Sequence, residues 1–416
     1  MPDSSLIRDS TERWLERLRG AVAPRRHNAR TIAALTGNPG CHRRAVLDAA
    51  GVDKPRLAEH VGFPARYGQS RFAITRGNSF ERQVKADGGV ELLRLLRERL
   101  GLPIPDAEYT DLDGGTPDPT ADPTDTDKDA EKDADRDADR DTDTDIDVEP
   151  MRPVESNEER YERSRQLIGA AAGAPASGDA LIFDHPLLRL EVAGQRVYLE
   201  PDLIAFRVDG RFHVVEIKSF PVIDGQADPS KVSAAAVQAA VYVLAMRQLL
   251  TEGGHDPAIV SHDVLLVCPR DFTNEPVAAL IDVRKQLSTL RRQLARMARV
   301  EELVAALPAD LSFDLAPDRA GRPTRPPEAL TTALSVVEAR YAPECMASCE
   351  LAFFCRHEAR GQTGSLGKSV REELGGVERV PTVLALASGE LAPADGQAEA
   401  AAMLQAAARL RAEALS

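Results

Sequence analysis

The spacing of apolar residues changes character along this chain, and the changes divide it. From Leu6 to Val22 apolar positions recur at helical spacing, which predicts an amphipathic helix. Ala29 to Ala49 predicts further helical segments, broken at Gly37-Asn38-Pro39-Gly40. After Arg76-Gly77-Asn78-Ser79 another helix is predicted, capped by Asn78 or Ser79, with Phe80, Val84, Leu92, Leu93 and Leu96 as its apolar face and Gly88-Gly89 as an interruption. Beyond residue 186 the period shortens towards two, and Leu187 to Val192, Gln195 to Val208, Arg211 to Ser219 and His262 to Val267 read as strands. Ser230 to Leu250, Ala-rich with Val237, Val241, Leu244 and Leu249 apolar, reads as a helix between the last two. Long helices are expected from Pro276 to Leu307. The central order is helix, three strands, helix, strand, an α/β pattern.

Charge sharpens the division. The 416 residues carry 52 Lys plus Arg against 66 Asp plus Glu, a formal net charge of -14. Asp106 to Asp147 alone holds 16 Asp and 2 Glu against Lys128, Lys132, Arg136 and Arg140, so that tract accounts for the whole -14 and the rest of the chain is formally neutral. A neutral, Arg-rich body leaves a nucleic-acid partner open, whereas an evenly acidic surface would argue against one. The tract's alternation of Asp with Ala, Thr and Arg offers almost nothing to bury, so 104–155 is expected to be a disordered, solvated insert. Its Asp133 to Asp147 stretch lacks the turn glycine and closing Glu of a calcium loop. The expected parts are an N-terminal helical part at 1–76, the first core helix at 77–103, the insert, a core at 156–275, a helical and cysteine-bearing part at 276–365 and a helical tail at 366–416. With no apolar run of signal-peptide or membrane-spanning length, the expectation is a soluble, cytoplasmic protein.

The candidate chemistry lies on the strands. Glu216 and Lys218, two apart in Val215-Glu216-Ile217-Lys218, project from one strand face. Asp202 opens the preceding strand after Glu200-Pro201, and Asp209-Gly210 marks the turn between the two. A two-residue turn would pair Asp202 with Ile217 and place it on the opposite face. A three-residue loop, Val208 to Gly210 with Gly210 left-handed, or an equivalent bulge, pairs Asp202 with Glu216. The longer turn or the bulge is expected. Converging carboxylates must share a proton or bind a cation, and hard oxygen ligands beside a lysine suit Mg or Mn ions and phosphodiester hydrolysis.

These residues resemble the signature of the PD-(D/E)XK nucleases: Pro201-Asp202, then Glu216-Ile217-Lys218, then Gln238-Ala239-Ala240-Val241-Tyr242, as in the RecB-like branch. The resemblance implies a restriction-endonuclease-like core and a metal held by Asp202, Glu216 and Glu81. The last comes from Gly77-Asn78-Ser79-Phe80-Glu81, which is similar to the branch's first motif. It further implies that Lys218 positions or activates water and that Gln238 and Tyr242 support the site. The implied activity is a metal-dependent DNA nuclease acting on single strands or ends in repair, recombination or anti-phage defence. No Gly-x4-Gly-Lys-Ser/Thr occurs, so unwinding is expected from a helicase or another subunit. Two other readings stand: a catalytically silent DNA-binding subunit, and a helix-turn-helix regulator built on Thr31 to Val61.

Of five cysteines, Cys345-x3-Cys349-x5-Cys355 cluster, and Cys41 offers a fourth thiolate. Such a set holds zinc or an iron-sulfur cluster. One cysteine ahead of the first motif and three after the core resemble the 4Fe-4S staple of AddB-type and CRISPR-associated RecB-like nucleases. Here the first gap among the three is three residues rather than two, which keeps zinc open. Cys268 reads as a small buried residue. Arg284, Lys285, Arg291, Arg292, Arg296 and Arg299 form a basic helix, and Arg43, Arg44 and Arg356 flank the cysteines; both sets are candidate phosphate contacts. A polyanionic insert beside such a surface competes with phosphate. Removing Asp106 to Asp147 should therefore raise DNA affinity at low salt, and a titration showing unchanged affinity would refute autoinhibition.

Overall fold

The computed structural model describes residues 4–25, 27–65, 71–101, 107–112, 155–174, 180–208, 211–271 and 273–415. Four helices open the chain: α1 (Ser4–Arg19), α2 (Ala29–Gly37), α3 (His42–Ala50) and α4 (Lys54–His60). Asn28 caps α2, its side chain accepting from the Thr31 N–H while its own N–H donates to the Thr31 hydroxyl. Helix α5 (Arg71–Leu100) begins ahead of the expected cap, so Gly77 and Asn78 lie inside it. It is two helical segments, because Asp87, Gly88 and Gly89 take φ of 54°, 68° and 75°, and glycine is the residue that enters that region without a steric cost.

Next come β1 (Ala107–Asp111), α6 (Asn157–Gly173), β2 (Ala180–Asp184), β3 (Leu188–Val192), β4 (Gln195–Leu199), β5 (Leu203–Val208), β6 (Arg211–Ile217), α7 (Pro229–Glu252), β7 (Asp263–Pro269) and β8 (Pro276–Asp282). The fold is mixed α/β, with a six-stranded sheet in the order β1-β2-β5-β6-β7-β8 and a separate β3-β4 hairpin. Strands β2, β5 and β6 are antiparallel neighbours, and β6 runs parallel to β7 across the α7 crossover.

Three sequence expectations need correction. Gln195 to Val208 is not one strand: Pro201 has no N–H to donate, the ladder stops at Glu200-Pro201-Asp202, and β4 and β5 enter different sheets. The third antiparallel strand of the central sheet is therefore β2, whose short Leu181-Ile182-Phe183 run gave no clear period. Pro276 to Asp282 is a strand rather than a helix, paired residue for residue with β7 from Pro269↔Pro276 to Asp263↔Asp282. The Val-Ala-Ala-Leu-Ile run is ambiguous by pattern, and the open edge of β7 decides it. Finally, β1 lies within 104–155 and pairs in parallel with β2, so the sheet includes Ala107–Asp111, and Leu112 just after it is buried. The rest of the acidic tract, 113–147, lies outside the described residues.

Both faces of the sheet are covered. Phe80, Val84, Leu92 and Leu96 of α5 pack with Val215, Ile217, Leu265 and Val267 on one face. Ala239, Val243, Met246 and Leu250 of α7 share a core with Phe212 and Val214 on the other. Among the described residues α7 is the one helix long and apolar enough to cross a membrane by length and composition, and 56% of its most apolar window is buried. That is the signature of a central core helix.

After the sheet come α8 (Arg284–Leu294), α9 (Val300–Ala305), α10 (Pro327–Val336), α11 (Ala352–Glu358), α12 (Lys368–Glu373), α13 (Val380–Ser388) and α14 (Ala398–Leu415). A third core joins the N-terminal helices to residues 300–355: Leu18, Leu47 and Leu57 pack with Val304, Phe313, Leu330, Leu334 and Phe354, together with Cys345, Cys349 and Cys355. The tail packs on itself around Val377, Val383, Leu386 and Ala401.

Candidate functional site

Strand register creates the site. At the hairpin end β5 and β6 pair as Val208↔Arg211 and Arg207↔Phe212, but a shift between Ile204 and Arg207 changes this to Ile204↔Val214 and Leu203↔Val215. Continuing that register sets Asp202 opposite Glu216. Without the shift Asp202 would oppose Ile217 and point away. Asp209 and Gly210 themselves lie outside the described residues; the expected bulge is present within β5 and β6.

Alternation does the rest. Val215 and Ile217 face α5, so Glu216 and Lys218 face α7. Glu216 is only 1% exposed. Lys218 Nζ lies 2.5 Å from Glu216 Oε1 and 3.8 Å from Asp202 Oδ2. The Ile217 N–H donates to Asp202 Oδ2 at 3.2 Å, and the Lys218 N–H donates to the Val267 carbonyl on β7 at 2.9 Å. Among the described residues Glu216 Oε2 has no hydrogen-bond partner. Burial pushes the Glu216 carboxyl up to about 7, against the pull of Lys218 and with the Asp202 charge adding to the rise. For Lys218 burial acts downward, but Asp202 and Glu216 outweigh it and hold the ammonium above its ordinary range. A buried, unpartnered carboxylate oxygen that resists ionisation is the atom a divalent cation would satisfy.

Tyr242 and Gln238 of α7 differ in what they do. The Tyr242 hydroxyl donates to the Glu200 carbonyl at 3.2 Å, and Arg160 of α6, only 2% exposed, reaches Glu200 Oε1 at 2.7 Å. The two hold the segment that carries Asp202 through its neighbour. Gln238, one turn earlier and half-buried, lines a cleft beside Arg30. Sequence reading missed Arg160, because a lone Arg in a helix 40 residues from its partner carries no local signal.

Glu81 stands at the edge of this group. It feels Lys85 at 2.5 Å and His185 at 3.6 Å, while Lys85 also reaches Asp184 at 2.8 Å and His185 Nδ1 lies 3.0 Å from the same oxygen. Tyr109 donates to the other Asp184 oxygen. Burial acts upward on Glu81, but His185 and Lys85 hold its carboxyl below the usual range. Burial likewise fails to prevail at Asp184, which His185 and Lys85 hold down at about 2. Burial would lower His185, yet Asp184 and Glu81 raise it to about 10. Among the described residues Glu81, Asp202 and Glu216 do not form a group with oxygens mutually within 4.8 Å, whereas Asp111, Asp184 and His185 do. Lys85, Asp184 and His185 were not legible as site residues, since β2 was not recognised and the His185 turn, at φ 49°, is a feature of the backbone.

The four cysteines expected to act together lie in one region. Cys41 precedes α3, Cys345 and Cys349 flank a short turn, Cys355 is in α11, and all four are buried free thiols. Arg43 donates to Cys355 Sγ at 3.3 Å and Asn38 Nδ2 to Cys345 Sγ at 3.4 Å. Burial pushes Cys355 up to about 12, opposed by Arg43, and Cys349 up to about 11, opposed by Arg44 and Lys54. Buried cations turned towards sulfur are what four thiolates around a metal centre would need for charge compensation. No three of the thiols lie mutually within 4.8 Å. Cys268 stands apart, packed against Ala235 and Leu266 as a small core residue.

The other candidate contacts sort by partner. Arg43 and Arg44 are 3% exposed and ion-paired with Glu358 and Asp48, so they are not available to DNA. The same burial removes α3 as an exposed recognition helix. Arg284 and Arg299 pair with Asp282 and Glu301, while Leu287 and Leu290 bury the apolar side of α8.

Two outcomes follow from this geometry. A carboxyl held above its ordinary range favours the fold when protonated, so the contribution of Glu216 is complete below about pH 4.5 and lost as the pH rises through about 7. In chelator, thermal stability should fall over that window. Mn should restore it at pH 8 but not at pH 5, and Glu216→Gln should abolish the Mn effect, all read by melting temperature. Arg160→Gln and Glu200→Gln should each lower Mn affinity on the order of tenfold. The double variant should lose no more than either single one if the pair acts as a unit, as titration calorimetry would show. No protein-family model, no curated protein and no solved structure matches this chain.

Proposed function

We propose that this protein is a metal-dependent nuclease with a restriction-endonuclease-like core, hydrolysing phosphodiester bonds of DNA. The observation that carries the reading is the buried Glu216 with its unpartnered oxygen, set by a bulged register opposite Asp202 and beside Lys218. The order α5, β2, β5, β6, α7, β7, with β6 parallel to β7, supports the fold assignment. Asp202 and Glu216 would hold a Mg or Mn ion, with Glu81 joining once released from Lys85 and His185. When bound, such an ion polarises a phosphoryl oxygen and lowers the pKa of water. Lys218, already between the two carboxylates, is placed to neutralise charge that develops on the phosphate. Tyr242 and Arg160 keep Asp202 in register through Glu200. Gln238 faces the cleft by which substrate would enter.

Cys41, Cys345, Cys349 and Cys355 would hold a 4Fe-4S cluster. A tetrahedral zinc site with bonds near 2.3 Å sets its sulfurs about 3.8 Å apart, closer than any three of these thiols are grouped. A cubane presents four separate iron corners and takes more widely spaced sulfurs. Its role would be to clasp a core that already joins the N-terminal helices to residues 300–355.

One observation favours a second reading, a catalytically silent iron-sulfur subunit that binds DNA within a larger repair or defence complex: Lys85 and His185 occupy Glu81, and Lys218 fills the space between the other two carboxylates. Cleavage of labelled DNA with Mg or Mn separates the two. Wild type should cut and Lys218→Ala should lose at least about a hundredfold in rate; no cleavage of any DNA form by wild type would leave the binding subunit. Anaerobic purification should give brown protein with about four irons per chain, and zinc in place of iron would overturn the cluster assignment.

A further inference from the structure

A cleft of about 1090 Å³ runs from Gln238 on α7 to Cys345. Arg30 of α2, Arg296 just beyond α8 and Arg340 in the segment leading to Cys345 line it, and all three are exposed. Among the described residues none of the three has a carboxylate within ion-pair distance. Arg43, Arg44, Arg284 and Arg299, by contrast, are all paired. The cleft wall holds five arginines and three glutamates, and three of these charges are already spent, Arg44 on Asp48, Arg371 on Glu378 and Glu350 on Lys54.

The free arginines do not converge on a point. Arg30 shares the cleft wall with Gln238, one turn from Tyr242 on α7, and its charge opposes that of Lys218, so it lies towards the catalytic end. Arg340 is at the other end, where Asn38 Nδ2 donates both to the Arg340 carbonyl at 2.6 Å and to Cys345 Sγ at 3.4 Å. Arg296 comes from a third element, beside Gln293. A single small anion would need its cations gathered round it. Cations strung along a cleft, with amides of Asn38, Gln238 and Gln293 between them and Tyr341 in the wall, suit a chain of phosphates bearing bases. The volume is that of a site for a few nucleotides.

We propose that this cleft is the path of a single strand of nucleic acid, with Arg30, Arg296 and Arg340 contacting its phosphates, leading it from the cysteine region to the Asp202, Glu216 and Lys218 group. The proposal rests on the hydrolase reading of that group for the fate of the strand, but not for its binding. Arg296 belongs to the basic segment expected from the sequence, whose Arg291 and Arg292 on α8 are also exposed.

The test is fluorescence anisotropy in chelator, where no metal-dependent cleavage occurs, with a labelled oligothymidylate, the matching duplex and an oligouridylate. Arg30→Ala, Arg296→Ala and Arg340→Ala should each weaken single-strand binding on the order of fivefold and reduce the log-log salt slope by about 0.7. Arg322→Ala, exposed and remote from the cleft, should change neither. The deoxy and ribo probes tell which sugar the path accepts, and loss of either with the three arginines supports the proposal. Unchanged single-strand binding in all three variants, or an equal loss of duplex binding, overturns it. If wild type cuts DNA yet the variants bind normally, the cleft assignment falls and the hydrolase stands. If the variants lose binding and wild type never cuts, the reverse holds.

Discussion

A carboxylate taken out of water without its full set of partners is the constraint round which the centre of this molecule is organised. Glu216 sits at the end of a central strand with one oxygen on Lys218 and, among the described residues, no partner for the other, and burial is the largest of the effects that disfavour its charge. Its neighbours make sense as responses to that. Asp202 is fixed by a backbone N–H of the same strand, and Lys218 by a backbone bond to β7. Glu200, two residues before Asp202, is held from two helices at once. Such an arrangement is poorly suited to stability and well suited to receiving a cation.

The sheet separates two kinds of support. On the α7 face the packing is small and close, Ala236, Ala239 and Ala240 with Val243, so the helix that carries Gln238 and Tyr242 lies near the strand that carries Glu216. On the other face α5 brings Glu81 to the same edge, but within a separate ionic network of Lys85, Asp184 and His185. The two networks sense each other through charge, since Glu81 contributes to the raised carboxyl of Glu216. Any engagement of Glu81 with a metal therefore requires Lys85 or His185 to yield it, and this couples β1 and β2, through Tyr109 and Asp184, to the site.

The cysteine region repeats the theme in a different chemistry. Four buried thiols lie among Arg43, Arg44 and Lys54, whose own counter-ions are Glu358, Asp48 and Glu350. Buried cations need partners, and here both carboxylates and sulfur meet them. Because the same core contains α1, α3, α4, α9, α10 and α11, the N-terminal helices are joined by packing to the segment that carries Cys345, Cys349 and Cys355.

The sequence by itself determined the elements with strong period and the chemistry with fixed spacing: α7, β6, the break at Gly88-Gly89, Glu216 and Lys218 on one face, and four cysteines apart from Cys268. These depend on residues within a turn or two of each other. It also framed the register question correctly, since one residue of slip decides whether Asp202 meets Glu216. Tertiary structure alone decided that a bulge within β5 and β6 provides that slip, that β2 rather than β3 completes the central sheet, and that an Ala-rich segment becomes β8 because β7 offers an open edge. It also decided which arginines are free, because pairing partners such as Arg160 and Glu200, or Arg43 and Glu358, are 40 and 315 residues apart. Local pattern fixes which way a side chain points, and only the assembled chain fixes what it points at.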